Sequence, residues 1–136
     1  MRESKPGQKV PRILIVDDDE SIRTLAAASI QHTLGETWSI AFAATGEEAL
    51  ARMACERPDL VLLDIMMPGV DGFEVCRRLK ACPETRSVRV VFLTGVGDES
   101  AIAEGLRLGG EGYILKPFSP VTLAAQIAEL LVPEDD

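Results

Sequence analysis

The sequence is poor in cysteine and in aromatic residues, and it has fewer positive than negative charges. Its three cysteines, Cys55, Cys76 and Cys82, are odd in number and share no CxxC spacing. This disfavours a disulfide framework or a zinc site and favours a reducing compartment. The 14 lysines and arginines against 22 acidic residues leave a net charge of −8. Direct nucleic-acid binding is disfavoured, because it depends on clustered basic residues. An acidic field suits a metal ion or a basic partner surface instead.

Long apolar runs are also missing. The opening segment MRESKPGQKVPR is polar, and no stretch has the pattern of a signal peptide or a transmembrane helix. Apolar residues nevertheless make up 46% of the 136 positions, which is enough to build a core. We therefore predict one cytoplasmic domain over 12–132, without membrane contact, flanked by polar tails at 1–11 and 133–136.

Short apolar runs alternate with amphipathic stretches five times along the chain. The predicted strands are 13–16, 38–43, 60–63, 88–93 and 113–115. Helical spacing after the first strand places five apolar side chains on one face, those of Ile22, Leu25, Ala26, Ile30 and Leu34. Thr45 and Glu48 have the spacing of a capping box at the start of the second helix.

Five strand–helix units imply parallel strands with helices on both faces of the sheet. A closed barrel of this kind needs eight units, so an open sheet is predicted. The fold class is therefore α/β, a doubly wound five-stranded parallel sheet. Among open sheets we favour the flavodoxin-like strand order 2-1-3-4-5, a preference taken from fold-level rules.

Polar side chains follow four of the predicted strands. Asp17 and Asp18 follow strand 1, Asp64 follows strand 3, Thr94 follows strand 4 and Lys116 follows strand 5. Because the carboxyl ends of parallel strands share one edge, we expect these side chains to meet in one cleft. Neighbouring carboxylates repel unless a cation bridges them, and oxygen ligands favour Mg²⁺. A metal, a hydroxyl and an ammonium beside Asp64 suit phosphoryl transfer to its carboxylate, forming an acyl phosphate.

Four segments carry a family resemblance. ILIVDDD, DLVLLDIMMPGVDG, VVFLTG and GGEGYILKPF resemble the receiver domain of two-component response regulators, and the resemblance runs from about residue 12 to residue 132. It implies that Asp64 is the phosphoacceptor. It also implies that Asp18 binds Mg²⁺ directly, that Asp17 acts mostly through water, and that the main-chain carbonyl of Met66 completes the ligands.

The same resemblance assigns the residues that would respond to the phosphoryl group. Thr94 and Lys116 look like the phosphoryl-sensing pair, and Tyr113 looks like the switch aromatic. The bond between Lys116 and Pro117 is similar to one that the family often holds in cis.

Met66 and Val96 occupy two positions that tune the rate of dephosphorylation in that family. Both side chains are apolar here, so neither can orient a hydrolytic water by hydrogen bonding. We therefore expect a comparatively long-lived acyl phosphate.

The resemblance implies a signalling switch, which catalyses only its own phosphotransfer and autodephosphorylation. A histidine kinase or a histidine phosphotransfer protein would supply the phosphoryl group. The face made by helix 4, strand 5 and helix 5 would then contact a downstream protein target or a second copy. Because only four residues follow the last predicted helix, the signal is expected to leave through a surface. The cognate kinase, the target and the oligomeric state stay open, as does whether the chain stands alone or belongs to a larger regulator or hybrid kinase.

Two other functions are weighed against this one. A haloacid-dehalogenase-like phosphatase would use Asp17 as nucleophile and Asp19 as acid/base, with Thr94 and Lys116 in similar roles. That enzyme needs a further acidic pair after the lysine, and the hypothesis leaves Asp64 unexplained. A binding module that has lost phosphorylation is disfavoured by the complete acidic cluster.

Overall fold

Five strands alternate with five helices in the computed structural model, which describes residues 11–35, 38–95, 97 and 99–131. The strands are β1 Arg12–Val16, β2 Ser39–Ala43, β3 Leu60–Leu63, β4 Arg89–Thr94 and β5 Gly112–Leu115. The helices are α1 Glu20–Leu34, α2 Gly46–Cys55, α3 Gly72–Ala81, α4 Glu99–Arg107 and α5 Pro120–Leu131. All five predicted strand–helix units are confirmed, with strand boundaries that differ by one residue at most. Both predicted tails, apart from Pro11, lie outside the described residues.

The strands form one parallel sheet in the order β2-β1-β3-β4-β5, as predicted. The central strands are continuous apolar runs because helices cover both faces of the sheet. In β3 all four side chains, LVLL, are fully buried, and in β1 only Arg12 is exposed. The order makes β1 and β3 neighbours, so the residues that follow them lie side by side.

Alternate residues of the strands enter two separate cores. Leu14 and Val16 pack in the core that α2 and α3 cover, whereas Ile13 and Ile15 pack in the core that α1 and α5 cover. Helices α1 and α5 also contact each other on that face. The sheet is therefore held rigidly from both sides, which fixes its carboxyl edge.

One predicted core residue is not in the core. Leu25 is 46% exposed, whereas Ala26 and Ile30 of the same helix are fully buried. The buried stripe of α1 consists of Ala26, Ala27, Ser29 and Ile30. At about 100° per residue, Leu25 points just outside the sector that these residues cover. Leu25 therefore lies at the edge of the stripe.

The capping box predicted at the start of α2 is present with one difference. Thr45 Oγ1 accepts a hydrogen bond from the backbone N–H of Glu48 at 3.0 Å. Glu48 Oε1 accepts its bond at 2.8 Å from the N–H of Ala44, one residue before the cap, and not from the cap residue itself. The two bonds anchor the first turn of α2 to the end of β2.

Within the described residues, none of the helices is both long enough and apolar enough to cross a membrane.

Replacing Thr45 by Ala should lower the free energy of unfolding by about 1 kcal/mol, because the N–H of Glu48 loses its acceptor. Urea denaturation followed by circular dichroism measures this change. The matched control is Thr24→Ala at an exposed position inside α1. It should change the stability by about 0.5 kcal/mol or less. Equal losses in both variants would contradict the capping role.

Candidate functional site

Two aspartates lie side by side, buried at the carboxyl edge of the sheet. Asp17 follows β1 and Asp64 follows β3, one residue beyond the paired Val16 and Leu63. The parallel pairing continues past the strands, because the N–H of Asp64 donates to the carbonyl of Val16 at 2.9 Å. Asp17 is fully buried and Asp64 is 3% exposed, whereas Asp18 is exposed. One carboxylate oxygen from each of the three lies within 4.8 Å of the other two.

A lysine from the far side of the sheet enters the same cluster. Lys116 Nζ lies 2.6 Å from Asp17 Oδ2 and 3.5 Å from Asp64 Oδ1. The N–H of Lys116 donates to the carbonyl of Thr94 at 2.9 Å, which extends the pairing of β4 with β5. The bond from Lys116 to Pro117 is cis, as the resemblance implied. The Thr94 side chain is fully buried at the end of β4.

The carboxylates are in excess over the ammonium, and the pKa values reflect this. Burial, followed by the negative charge of Asp17, raises the pKa of Asp64 to about 6, although Lys116 opposes the shift. For Lys116, burial acts to lower the pKa, but the contacts with Asp17 and Asp64 outweigh it and the pKa is raised. The metal-free pocket therefore carries uncompensated negative charge.

The donor atoms of the cluster fit a small hard cation. Asp17 Oδ1 accepts a hydrogen bond from the N–H of Asp19 at 2.9 Å. Asp17 Oδ2 is buried and has no hydrogen bond of ordinary geometry to the described residues, so its contact with Lys116 is an ion pair. Three carboxylates grouped within 4.8 Å of one another, with solvent access at Asp18, match Mg²⁺, which takes oxygen ligands and retains several waters.

Three predicted site residues remain, namely Met66, Tyr113 and Val96. Met66 is 65% exposed in the segment that joins β3 to α3. Tyr113 is half-buried in β5, and its ring centroid lies 5.9 Å from that of Phe92. Val96 lies outside the described residues.

Asp19 is occupied as the N-cap of α1 instead of facing the cluster. Its Oδ1 accepts from the backbone N–H of Ser21 at 2.9 Å and from the Ser21 hydroxyl at 2.6 Å. These hydrogen bonds, that of the hydroxyl first, hold the pKa of Asp19 below its usual range. A carboxylate that is exposed and stabilised in its ionised form is unsuited to deliver a proton.

Sequence reasoning missed a second cation at the cluster. Arg23 Nη1 donates a hydrogen bond to the main-chain carbonyl of Asp17 at 2.6 Å. It therefore holds the segment that joins β1 to α1. The only signal in the sequence was an arginine one turn into α1, beside the buried stripe, which is also where an ordinary surface arginine occurs.

Asp64→Asn should stabilise the metal-free protein by about 1–3 kcal/mol at about pH 7.5, because it removes a charge that burial, and then the charge of Asp17, destabilises. The pKa of Asp64 is raised on folding from 3.8 to about 6. Protonation of Asp64 therefore stabilises the fold fully below about pH 4, and this contribution is lost as the pH rises through about 6. The advantage of the variant should accordingly shrink toward zero between pH 7 and pH 4.

Urea denaturation with a chelator present, at several pH values, measures this difference. The matched control is Asp71→Asn at the N-cap of α3, where the side chain accepts from the N–H of Glu74. Asparagine caps helices about as well as aspartate, so a change of about 0.5 kcal/mol or less is expected. A pH-independent difference between Asp64→Asn and the wild type would refute the electrostatic explanation.

Comparison with known proteins places this geometry in a family. The family model for the response regulator receiver domain matches residues 13–128. The chain is 37% identical over 122 residues to the phosphate regulon transcriptional regulatory protein PhoB of Rhizobium meliloti (strain 1021), covering 90% of this chain and 52% of that protein. It thus spans about half the length of this relative.

Solved structures agree with this assignment. A putative response regulator from Chloroflexus aurantiacus J-10-fl superposes with a TM-score of 0.84 at 32% identity, covering 92% of this chain and 100% of that one. Vibrio cholerae chemotaxis protein CheY4 gives a TM-score of 0.82 at 29% identity, covering 90% and 100%. The phosphatase alternative finds no support in these matches, and Asp19 is committed to its cap. The chain therefore belongs to the receiver-domain family of the response regulators of two-component systems, which are signalling switches.

Proposed function

We propose that Asp64 accepts the phosphoryl group, with Asp18, Asp64 and the main-chain carbonyl of Met66 as direct Mg²⁺ ligands and with Asp17 acting on the metal mostly through water. The observation that carries the proposal is the position of the Asp64 carboxylate. It is buried at the carboxyl edge of the sheet, grouped with two further carboxylates, and Lys116 Nζ lies 3.5 Å from it.

The proposed reaction is a substitution at phosphorus. An Asp64 oxygen forms a bond to the phosphorus atom while the bond from phosphorus to a partner histidine nitrogen breaks, and the electron pair stays with the imidazole. Bound Mg²⁺ would supply positive charge to the oxygens of the transferred group. Lys116 would contribute a second positive charge, which its contacts with Asp17 and Asp64 support.

Signal output would begin at Thr94 and Tyr113. The Thr94 hydroxyl would donate to a phosphoryl oxygen, and the Tyr113 ring would turn inward, which biases an existing equilibrium between two states. Response regulators interact with histidine kinases and downstream effectors. We assign the output contact here to the face of α4, β5 and α5, where Leu106, Leu115 and Val121 are exposed. The partner there is a downstream protein or a second copy. The acidic surface disfavours direct nucleic-acid contact. We place the exchange in the cytoplasm.

Incubation with acetyl phosphate and Mg²⁺ should add one phosphate to the chain, which intact-mass spectrometry detects. Asp64→Asn should abolish the addition, because the amide cannot form the acyl phosphate. Asp17→Asn should slow the labelling without preventing it. Asp59→Asn, at a position where the side chain accepts from the N–H of Arg12 at the opposite edge of the sheet, is the control and should label as the wild type does.

The same experiment separates the competing functions. Steady release of inorganic phosphate that depends on Asp17 while Asp64 is dispensable would refute the proposal in favour of a phosphatase. Absence of both labelling and release, in protein shown to be folded, would leave only the binding-module function.

The phosphorylated form should be long-lived because the exposed side chain of Met66 cannot orient a water molecule. Met66→Asn should accelerate hydrolysis by supplying a hydrogen-bonding group, whereas Met66→Leu should leave the rate close to that of the wild type. The decay of the phosphorylated mass after removal of acetyl phosphate gives the rates. Wild-type decay within seconds, in Mg²⁺ buffer, would contradict this expectation.

A further inference from the structure

The first turn of α2 presses against the segment that joins β3 to α3. We call this segment, residues 65–71, the β3–α3 loop. A Cβ placed on Gly46 would lie 3.0 Å from the Cβ of Val70 and would meet the Val70 carbonyl oxygen far inside van der Waals contact. Gly46 is not in the left-handed region of backbone conformation, so the requirement here is space alone. No larger residue fits unless the loop or the helix moves.

The next residue of α2 touches the same loop. Glu47 Oε2 lies 3.0 Å from the position that a Cβ on Gly69 would occupy. Gly69 has a φ of +78°, which turns the loop at that point. The flexible end of the Glu47 side chain therefore lies beside Gly69, next to the residue that faces Gly46.

The other end of the loop is equally tight. Gly72 begins α3, and its N–H donates to the carbonyl of Ile65 at 2.9 Å. A Cβ on Gly72 would lie 2.8 Å from the Cα of Ile65 and closer still to the carbonyl oxygen of Asp64. The loop is thus closed on itself beside Asp64. Only three residues separate Val70 from Met66. We therefore expect a displacement of Val70 to move Met66 as well.

The helix side of the contact is firmly held. The two hydrogen bonds of the capping box tie the first turn of α2 to the end of β2. Ala49 and Met53, on the inner face of the same helix, are buried in the core. A steric conflict at Gly46 is therefore relieved most readily by movement of the loop.

We infer that Gly46 is a positioning residue for the metal site. The first turn of α2 sets the position of the β3–α3 loop, and through it the position of the Met66 carbonyl relative to Asp64. The inference rests on the proposed function, in which that carbonyl is a ligand of Mg²⁺.

Gly46→Ala is the direct test. In metal-free protein, the amide resonances of residues 65–67 and 69–71 should shift in a ¹H–¹⁵N correlation spectrum, because the added methyl displaces the loop. The Kd for Mg²⁺, measured by calorimetry on the folded protein, should rise by about ten-fold, the lower end of the range for groups that orient metal ligands.

Two control variants separate positioning from general destabilisation. On Gly112 in β5, an added Cβ would lie 3.6 Å from the Val91 methyls, which is ordinary contact. Gly112→Ala should therefore leave the Kd and the loop resonances unchanged. Ile127 is fully buried in the core that α1 and α5 cover. Ile127→Ala should lower the stability while leaving the Mg²⁺ affinity of the folded protein unchanged.

A second variant serves if Gly46→Ala does not fold. Glu47 is exposed, so Glu47→Ala should fold while losing the contact with Gly69. It should shift the resonances of the loop. Glu47→Gln keeps the size of the side chain but removes its charge, so it distinguishes the effect of the contact from the effect of the charge. Unchanged loop resonances in every folded variant, or an unchanged Kd in folded Gly46→Ala, would overturn the inference. Failure of the wild type to bind Mg²⁺ would refute the proposed function and, with it, the metal-positioning role. The spectra of the metal-free protein would still show whether α2 determines the position of the β3–α3 loop.

Discussion

The forced proximity of two buried carboxylates is the constraint on which the rest of the structure depends. Parallel pairing of β1 with β3 places Asp17 and Asp64 side by side, each one residue beyond a paired strand residue. Neither side chain can retreat into solvent, because both are buried at the edge of a sheet that is packed on its two faces. Burial and the Asp17 charge together raise the pKa of Asp64, so the fold itself opposes the ionised form that the proposed chemistry uses.

Lys116 offsets only part of the repulsion between the carboxylates. The negative charge that remains explains the chemistry of the site. One ammonium faces two buried carboxylates and a third, exposed one, and its closest contact is with Asp17 at 2.6 Å. Asp64 is the less tightly paired of the two buried groups, at 3.5 Å. The cluster thus retains negative charge that a cation can neutralise, and the proposed phosphoacceptor is the buried carboxylate that lies farther from the Lys116 ammonium. The carboxylates repel one another in the metal-free state. A bound cation removes this repulsion, and its removal contributes to the free energy of binding.

The chemistry-bearing residues could be predicted from the sequence because each directly follows an apolar strand, and the edge of a parallel sheet collects such residues. This reasoning needs only the order of elements, so it placed Asp17, Asp64 and Lys116 together correctly. Helical spacing, by contrast, failed for Leu25, whose exposure depends on the rotation of α1 against its neighbours. For Asp19, the N-cap hydrogen bonds that it accepts from Ser21 exclude the acid/base role weighed for the phosphatase.

The residues that position the site escaped prediction for a common physical reason. Arg23 and Gly46 act through contacts with main-chain carbonyls, those of Asp17 and Val70, and such contacts leave no periodic or compositional trace. The ends of the strands therefore determine which functional groups meet at the site. Contacts between elements determine the positions of the two loops that carry these groups. It follows that receiver domains with the same acidic residues and lysine can differ in metal affinity. In this chain the first turn of α2, which carries none of those residues, is a place where such a difference can arise.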